Sequence, residues 1–129
     1  YRSLCYHIFC IPDAFLEVTQ GVTLTRNMLN PEPPESIQSF NAIADYGDTV
    51  RAKVKDWWRA KPEHDSGALL STYYGDQPTH NVFERTTWHC AQHGRQLAML
   101  LENMDIAPDC PLTAAQLDGL PVPEKVWDE

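Results

Sequence analysis

Apolar side chains recur at helical spacing in three long segments of the chain. In the first segment, from Leu4 to Val18, the apolar positions step by three and four residues, which places them on one face of an α-helix. Gly21 is expected to stop this helix, and Pro12 is expected to kink it or to divide it in two. No capping residue precedes the helix, which we interpret as a sign that the natural chain continues upstream.

The second and third segments have the same kind of pattern. The second helix is predicted from Glu35 to Ala60, with a bundle-type seam formed by Phe40, Ile43, Gly47, Val50, Val54 and Trp57. Gly47 costs about 1 kcal/mol relative to alanine in a helix, so we expect another helix to approach closely there. The third helix is predicted from Thr79 to Asn103, and its inward stripe consists of Val82, Thr86, His89, His93, Leu97, Leu100 and Met104.

The segments between these helices contain no convincing strand. Residues 19–34 end in a proline-rich extended stretch but are apolar enough to form an ordered crossover. For residues 66–75 a short helix or a packed loop is expected. Thr113 and Gln116 form a capping box that opens one short helix, which Gly119 and Pro121 end. Residues 1–129 are therefore predicted to form a single all-α domain.

Composition and charge exclude several classes of function. The chain has a net charge of −8, whereas a nucleic-acid-binding surface needs a basic stripe. No apolar run approaches the ~20 residues that span a bilayer, and the N-terminus has no features of a signal peptide. The four cysteines form neither a CxxC pair nor a regular framework, which favours a reduced, cytoplasmic protein. We expect no nucleic-acid partner and no membrane partner.

The most informative feature is the pair His89 and His93. Residues four apart on a helix project about 40° from each other, a spacing that suits two ligands of one metal ion. Both histidines occupy an otherwise apolar stripe, and burying a polar group without a partner costs about 1–3 kcal/mol. A divalent cation would serve both rings. The alternative is that HxxxH arises by chance and that these are core histidines satisfied by hydrogen bonds.

His7 is the third candidate ligand, because it lies beside the apolar stripe of the first helix. Three imidazoles suit Zn, Ni or Fe, and three protein ligands leave one position open, as in catalytic metal sites. A core or helix-flank histidine is the competing interpretation of His7. Thr86 or Gln96 could orient a ligand imidazole from the same face of the third helix.

Other reactive residues are assigned to packing or to solvent. Cys10 could add a thiolate ligand, but a small buried core residue is the preferred interpretation. His64 and His80 are expected to face solvent, and Trp57 and Trp58 are expected to pack in the core. The sequence contains no glycine-rich phosphate loop, GxSxG or HExxH, so no nucleotide cofactor is expected and no catalytic residue is assigned.

The stretch from Glu84 to Leu97 resembles a known signature. Its HxxxH pair is followed by Arg95-Gln96-Leu97, which is similar to the last-helix motif of the DinB-like (DinB/YfiT-like) metal-binding superfamily. In that family an earlier helix supplies a third histidine, and His7 matches that place. The residues 73–77, which precede the third helix, and the proline-rich tail are also similar, so the likeness covers most of the chain.

The resemblance implies an up-down four-helix bundle that forms a homodimer and holds a divalent metal ion, Zn or Ni with Fe as an alternative, on His7, His89 and His93. It further implies a metal-dependent enzyme, either a thiol-dependent S-transferase that joins a low-molecular-weight thiol to a small electrophile or a hydrolase.

The sequence departs from the family pattern at its start. The first bundle helix would precede the helix of His7, and this sequence begins without it, so we expect a chain truncated at its N-terminus, one that follows an upstream segment, or one that a partner completes. The alternative functions are a non-catalytic, metal-stabilised dimerisation or accessory domain of a larger protein, and a plain helical bundle without metal.

Overall fold

A computed structural model describes residues 1–60 and 67–126 of the chain. Most of these residues are helical, which confirms the all-α class. The elements in chain order are α1 (Arg2–Thr19), α2 (Arg26–Leu29), α3 (Phe40–Ala60), β1 (Leu69–Leu70), β2 (Gln77–Pro78), α4 (Thr79–Glu102) and α5 (Ala114–Leu117). No helix within the described ranges has both the length and the apolar character needed to cross a membrane.

Helix α1 lies at the centre of the fold and runs through Pro12 without a break, so of the two predicted outcomes, a kink or a division, the division does not occur. Proline has no N–H to bond the carbonyl four residues earlier, which is that of Ile8. The Cys90 thiol of α4 donates a hydrogen bond to this oxygen at 3.3 Å. The helix ends at Thr19, and Gly21 stops it as predicted: it has a φ of 97° and donates from its N–H to the Val18 carbonyl at 3.0 Å.

Helix α3 begins at Phe40, five residues later than predicted. The Ser39 hydroxyl accepts a hydrogen bond from the Ala42 N–H at 3.1 Å, which is the geometry of an N-cap. Phe40 is 58% exposed, so its assignment to the buried seam is wrong. Ile43, Gly47 and Val50 are buried as predicted.

The expected close approach at Gly47 is confirmed, and the approaching group is an aromatic ring of α1. A Cβ atom at position 47 would lie 2.6 Å from the Cζ atom of Phe9. At the same interface, the Tyr46 hydroxyl donates to the Asp13 carboxylate at 2.8 Å, and Lys53 bonds the same carboxylate at 3.0 Å. Glycine therefore lets α1 and α3 come together where a larger residue would force Phe9 aside.

The segment before α4 differs from the prediction of a short helix or packed loop. From Gly67 onward, where the structure describes it, β1 and β2 pair antiparallel, with Leu69 opposite Pro78 and Leu70 opposite Gln77. Thr72 forms a parallel bridge with Leu24, which ties this small hairpin to the crossover. Residues 61–66, which include His64, lie outside the described residues, so the expectation for His64 is not addressed.

The crossover packs against the helices, and the short helix after Thr113 forms, both as predicted. Leu24 is buried, and Met28 and Leu29 pack against the α1 core, while the one-turn helix α2 within this segment was not predicted. The capping box is present, because the Thr113 side chain bonds the Gln116 N–H and the Gln116 side chain bonds the Thr113 N–H. The chain after α5 then lies against α4.

Helix α4 buries a partly different face from the one predicted. Val82 and Thr86 are buried, but Met104 lies beyond the helix and is 45% exposed. Gln92 is fully buried and was not predicted to be; it donates from Nε2 to the Lys125 carbonyl at 3.0 Å. The C-terminal residues therefore bury Gln92, which the apolar pattern did not place on the inward face of the helix.

Helices α3 and α4 both pack against α1, and an apolar groove of about 840 Å³ lies between them. We call it the α3–α4 groove; its lining includes Ile8, Phe9, Ala44, Val54, Trp58, Phe83 and Cys90. At one end α3 meets α4, where the Trp58 ring stacks on Phe83 at a centroid distance of 5.9 Å. The described ranges thus contain three long helices, and the α3–α4 groove runs along one side of them.

The contact between Gly47 and Phe9 predicts a difference between two helical glycines. Gly47→Ala should lower the free energy of unfolding by about 1–3 kcal/mol, because the added methyl group overlaps the Phe9 ring. Gly94→Ala is the matched control: its Cβ would be 3.4 Å from Leu112 Cδ1, so higher helix propensity should leave stability unchanged or raise it by up to ~1 kcal/mol. Chemical unfolding measures both, and equal effects of the two substitutions would contradict the close approach.

Candidate metal centre

The three predicted histidines come from two helices that pack against each other. His7 lies in the first half of α1, and His89 and His93 lie one turn apart in α4. The hydrogen bond from the Cys90 thiol to the Ile8 carbonyl joins the two helices at this level. Both helices are therefore held where the three rings meet.

The ring nitrogens are spaced as ligands of one ion would be. His7 Nε2 is 3.3 Å from His89 Nε2, which is 2.9 Å from His93 Nε2. Candidate ligand atoms of the three rings all lie within 4.8 Å of one another. Two nitrogens bound at about 2.0–2.1 Å to a tetrahedral zinc ion are about 3.3 Å apart. The structure thus brings together all three predicted residues in a cluster that could hold a metal ion.

Hydrogen bonds between the rings would satisfy this arrangement only in part. Each ring nitrogen of a neutral imidazole has either one proton or one lone pair. His89 Nε2 lies within hydrogen-bond distance of both His7 Nε2 and His93 Nε2, and one proton or one lone pair serves only one neighbour well. A cation bound by three lone pairs satisfies all three nitrogens.

Burial favours the neutral imidazoles that metal binding requires. Desolvation lowers the pKa of His89 to about 4, and the charges of His93, His7 and Arg85 contribute in the same direction. Desolvation and the charge of His93 also lower the pKa of His7. For His93, desolvation lowers the pKa although the hydrogen bond to Gln96 opposes the shift. At neutral pH the cluster offers lone pairs instead of positive charge.

Gln96 sets the tautomer of one ring, as the sequence predicted it could. His93 donates from Nδ1 to Gln96 Oε1 at 2.8 Å, which leaves the Nε2 lone pair of His93 directed to the cluster. Gln96 is 5% exposed, so water competes little for this bond. The Nδ1 atom of His7 is buried and has no hydrogen-bond partner among the residues that the structure describes, although the nearby Leu29 backbone acts to raise the pKa of that ring.

The remaining candidates fall outside the histidine cluster. Cys10 is buried and donates from its thiol to the His7 carbonyl at 3.2 Å, and desolvation raises its pKa to about 12. It is therefore a core residue and a poor thiolate ligand. Thr86 is buried and lines a small cavity beside His89. His80 is exposed, as predicted.

The interpretation of the two tryptophans is half right. Trp57 packs edge-on against Phe15, with ring centroids 5.0 Å apart, and belongs to the core. Trp58 is 55% exposed and forms part of the α3–α4 groove. All four cysteines are free thiols.

Sequence reasoning assigned no role to two residues beside the site, Arg85 and Tyr74. Arg85 lies one turn before His89 on α4, and both line a cavity of about 30 Å³ together with Tyr74. The i, i+4 spacing of Arg85 and His89 could have indicated the arginine. Nothing in the sequence spacing could have indicated Tyr74, because the hairpin turn brings it there from another segment.

Comparisons with known proteins do not identify a family. No protein-family model matches the chain, and no match is found among curated proteins or solved structures. The resemblance to the DinB-like superfamily therefore remains a prediction.

The bond between Gln96 and His93 predicts a change in metal affinity without a change in ligands. Gln96→Leu should weaken binding of zinc by about 10–100-fold, because His93 loses the acceptor that holds its tautomer and orientation. Gln92→Leu is the matched control, since it removes a buried glutamine that bonds Lys125 instead of a histidine. It should lower stability and leave affinity unchanged. Competition with a chromophoric chelator measures both, and equal affinity of wild type and Gln96→Leu would contradict this role.

Proposed function

We propose that this protein binds a divalent metal ion through His7, His89 and His93 and uses it as an enzyme of the DinB-like type. Zn or Ni is the proposed ion, with Fe as an alternative. One observation supports the proposal: three imidazoles from two helices bring one candidate ligand nitrogen each to within 4.8 Å of the others.

The proposed reaction is thiol-dependent S-transfer to a small electrophile, or hydrolysis. When bound, the ion would supply Lewis acidity that lowers the pKa of a thiol or a water molecule. The three histidines hold the ion, and Gln96 keeps His93 in the tautomer that can bind it. Apolar side chains of Ile11 and Leu29 line the adjacent cavity, where their low dielectric would strengthen electrostatic interactions.

The α3–α4 groove favours a second candidate function. Its apolar lining is exposed in the single chain and would be buried if a second copy covered the groove. The second proposal is therefore a non-catalytic, metal-stabilised dimerisation or accessory domain, in which this groove is covered in a homodimer. Both proposals share the metal site and differ in turnover.

The free thiols of the four cysteines fit a reducing compartment, and we propose a cytoplasmic location.

Metal content tests the shared part of both proposals. Tag-free wild-type protein should contain close to one equivalent of metal, and His89→Ala/His93→Ala should contain none, because it keeps only one ligand. His80→Ala, which removes an exposed histidine of the same helix, should retain the metal. Elemental analysis measures all three proteins.

Thermal unfolding provides a second test that does not depend on what the purified protein retains. Zinc at 100 times its Kd should stabilise wild type by about 2.7 kcal/mol and leave the double variant unchanged. Wild type that contains no metal and does not respond to added Zn or Ni would refute both proposals and leave a bundle whose histidines are satisfied by hydrogen bonds.

Turnover separates the two proposals. Metal-loaded wild type should accelerate addition of small thiols to 1-chloro-2,4-dinitrobenzene, or hydrolysis of activated esters, and chelator-treated protein should lose the acceleration. The reactions are followed by absorbance, with His80→Ala as the control. Metal binding without acceleration in either assay would refute the enzyme and favour the accessory domain, for which analytical ultracentrifugation should then show a dimer.

A further inference from the structure

A layer of two arginines and two tyrosines lies beside the histidine cluster. The Arg26 guanidinium carbon is 5.1 Å from the Tyr73 ring centroid, and the Arg85 guanidinium carbon is 4.9 Å from that of Tyr74. The two tyrosine rings meet edge to face at 4.8 Å, and Arg85 donates from Nη2 to the Tyr73 hydroxyl at 3.3 Å. We call these four residues the arginine–tyrosine cluster.

This cluster is positively charged although the chain has a net charge of −8. Within residues 1–60 and 67–126, the ion pairs are Arg51 with Asp48 and Lys53 with Asp13. Arg85 is instead surrounded by phenol rings, and its hydrogen bonds to Tyr74 and Tyr73 raise its pKa although desolvation opposes the shift. A half-buried guanidinium without a carboxylate partner in the described structure has unused capacity to bind an anion.

The position of Arg85 connects this capacity to the metal site. Arg85 and His89 are four residues apart on α4, so their side chains lie on the same face. Both line the cavity of about 30 Å³, which has room for one or two water molecules and lies next to the His89 ring of the histidine cluster. A carboxylate oxygen is of similar size. The Tyr73 hydroxyl accepts a hydrogen bond from Arg85, so a phenol O–H group lies beside the guanidinium.

We propose that Arg85 binds a carboxylate group of the ligand at the metal site and selects small thiols or electrophiles that carry one. The inference rests on the proposed function, because it places one end of the ligand on the ion and the other on Arg85. A guanidinium fork matches a planar carboxylate with two parallel hydrogen bonds, and the phenol of Tyr73 can add a third.

The test compares two thiols on the cobalt-loaded protein. Mercaptoacetate and 2-mercaptoethanol are titrated, and binding of each is followed by the sulfur-to-cobalt charge-transfer band. Wild type should prefer mercaptoacetate, and Arg85→Gln should reduce the ratio of the two affinities by about tenfold or more, since hydrogen bonds to charged groups are strong. Comparing ratios between variants cancels the intrinsic difference between the thiols.

Two further variants test whether the effect depends on the guanidinium fork and on the position of Arg85. Arg85→Lys retains the charge without the fork and should give an intermediate ratio. Arg51→Gln removes an exposed arginine of α3 and should leave the ratio unchanged. Arg85→Gln and Arg85→Lys should both bind cobalt as wild type does, because Arg85 is not a ligand.

The outcomes separate the inference from the proposal beneath it. If wild type binds no cobalt, both are overturned. If cobalt binds and the ratio is the same in wild type, Arg85→Gln and Arg85→Lys, only the carboxylate inference is overturned. If the arginine variants lose cobalt, Arg85 serves the site structurally, and the inference is again overturned.

Discussion

The imidazole rings of His7, His89 and His93 meet in one small space between α1 and α4. The structure around them must therefore provide partners for the ring nitrogens. Neutral rings are expensive to bury unless their nitrogens find partners. His89 Nε2 has two ring nitrogens within 3.3 Å and cannot satisfy both by ordinary hydrogen bonds. Helices α1 and α4 are nevertheless held together here by the hydrogen bond from the Cys90 thiol to the Ile8 carbonyl and by the apolar packing of α1. A metal ion bound by the three rings, as we propose, would give all three nitrogens a common partner.

The residues around the histidine cluster also favour neutral rings whose lone pairs face one another. Desolvation lowers the pKa of each histidine, so the rings stay neutral, and Gln96 directs the Nε2 lone pair of His93 inward. The positive charge nearby comes from Arg85, which contacts two tyrosines and forms no ion pair with the carboxylates of residues 1–60 and 67–126. In the proposed function, the histidines would bind a cation and Arg85 would bind an anionic group of the ligand.

Sequence reasoning located the histidine cluster because helical periodicity is a strong signal. The stripe of α4 placed His89 and His93 on the buried side, and the same geometry indicated Gln96. The capping box at Thr113 and the tight contact at Gly47 were also predictable from residue type and position. Long helices with regular spacing carry enough information to align side chains along one face.

The features that sequence reasoning missed depend on contacts between distant segments. The short hairpin before α4 forms because β1 and β2 pair and because Thr72 bridges to Leu24, and no local pattern specifies that bridge. Gln92 is buried by the C-terminal residues, although its residue type predicts exposure. The start of α3 at Phe40 had a usable signal in Ser39, a good N-cap residue. The arginine–tyrosine cluster joins α2, the hairpin turn and α4, so it is visible only in three dimensions.

The most direct test of the central claim is X-ray absorption at the zinc edge of the zinc-loaded protein. The structure predicts three imidazole ligands, with nitrogen at about 2.0–2.1 Å and the outer-shell scattering typical of histidine rings. A sulfur shell at about 2.3 Å, or a shell of oxygen without imidazole scattering, would contradict it. The ion would then be bound by other residues, and the cluster of His7, His89 and His93 would not be the metal site.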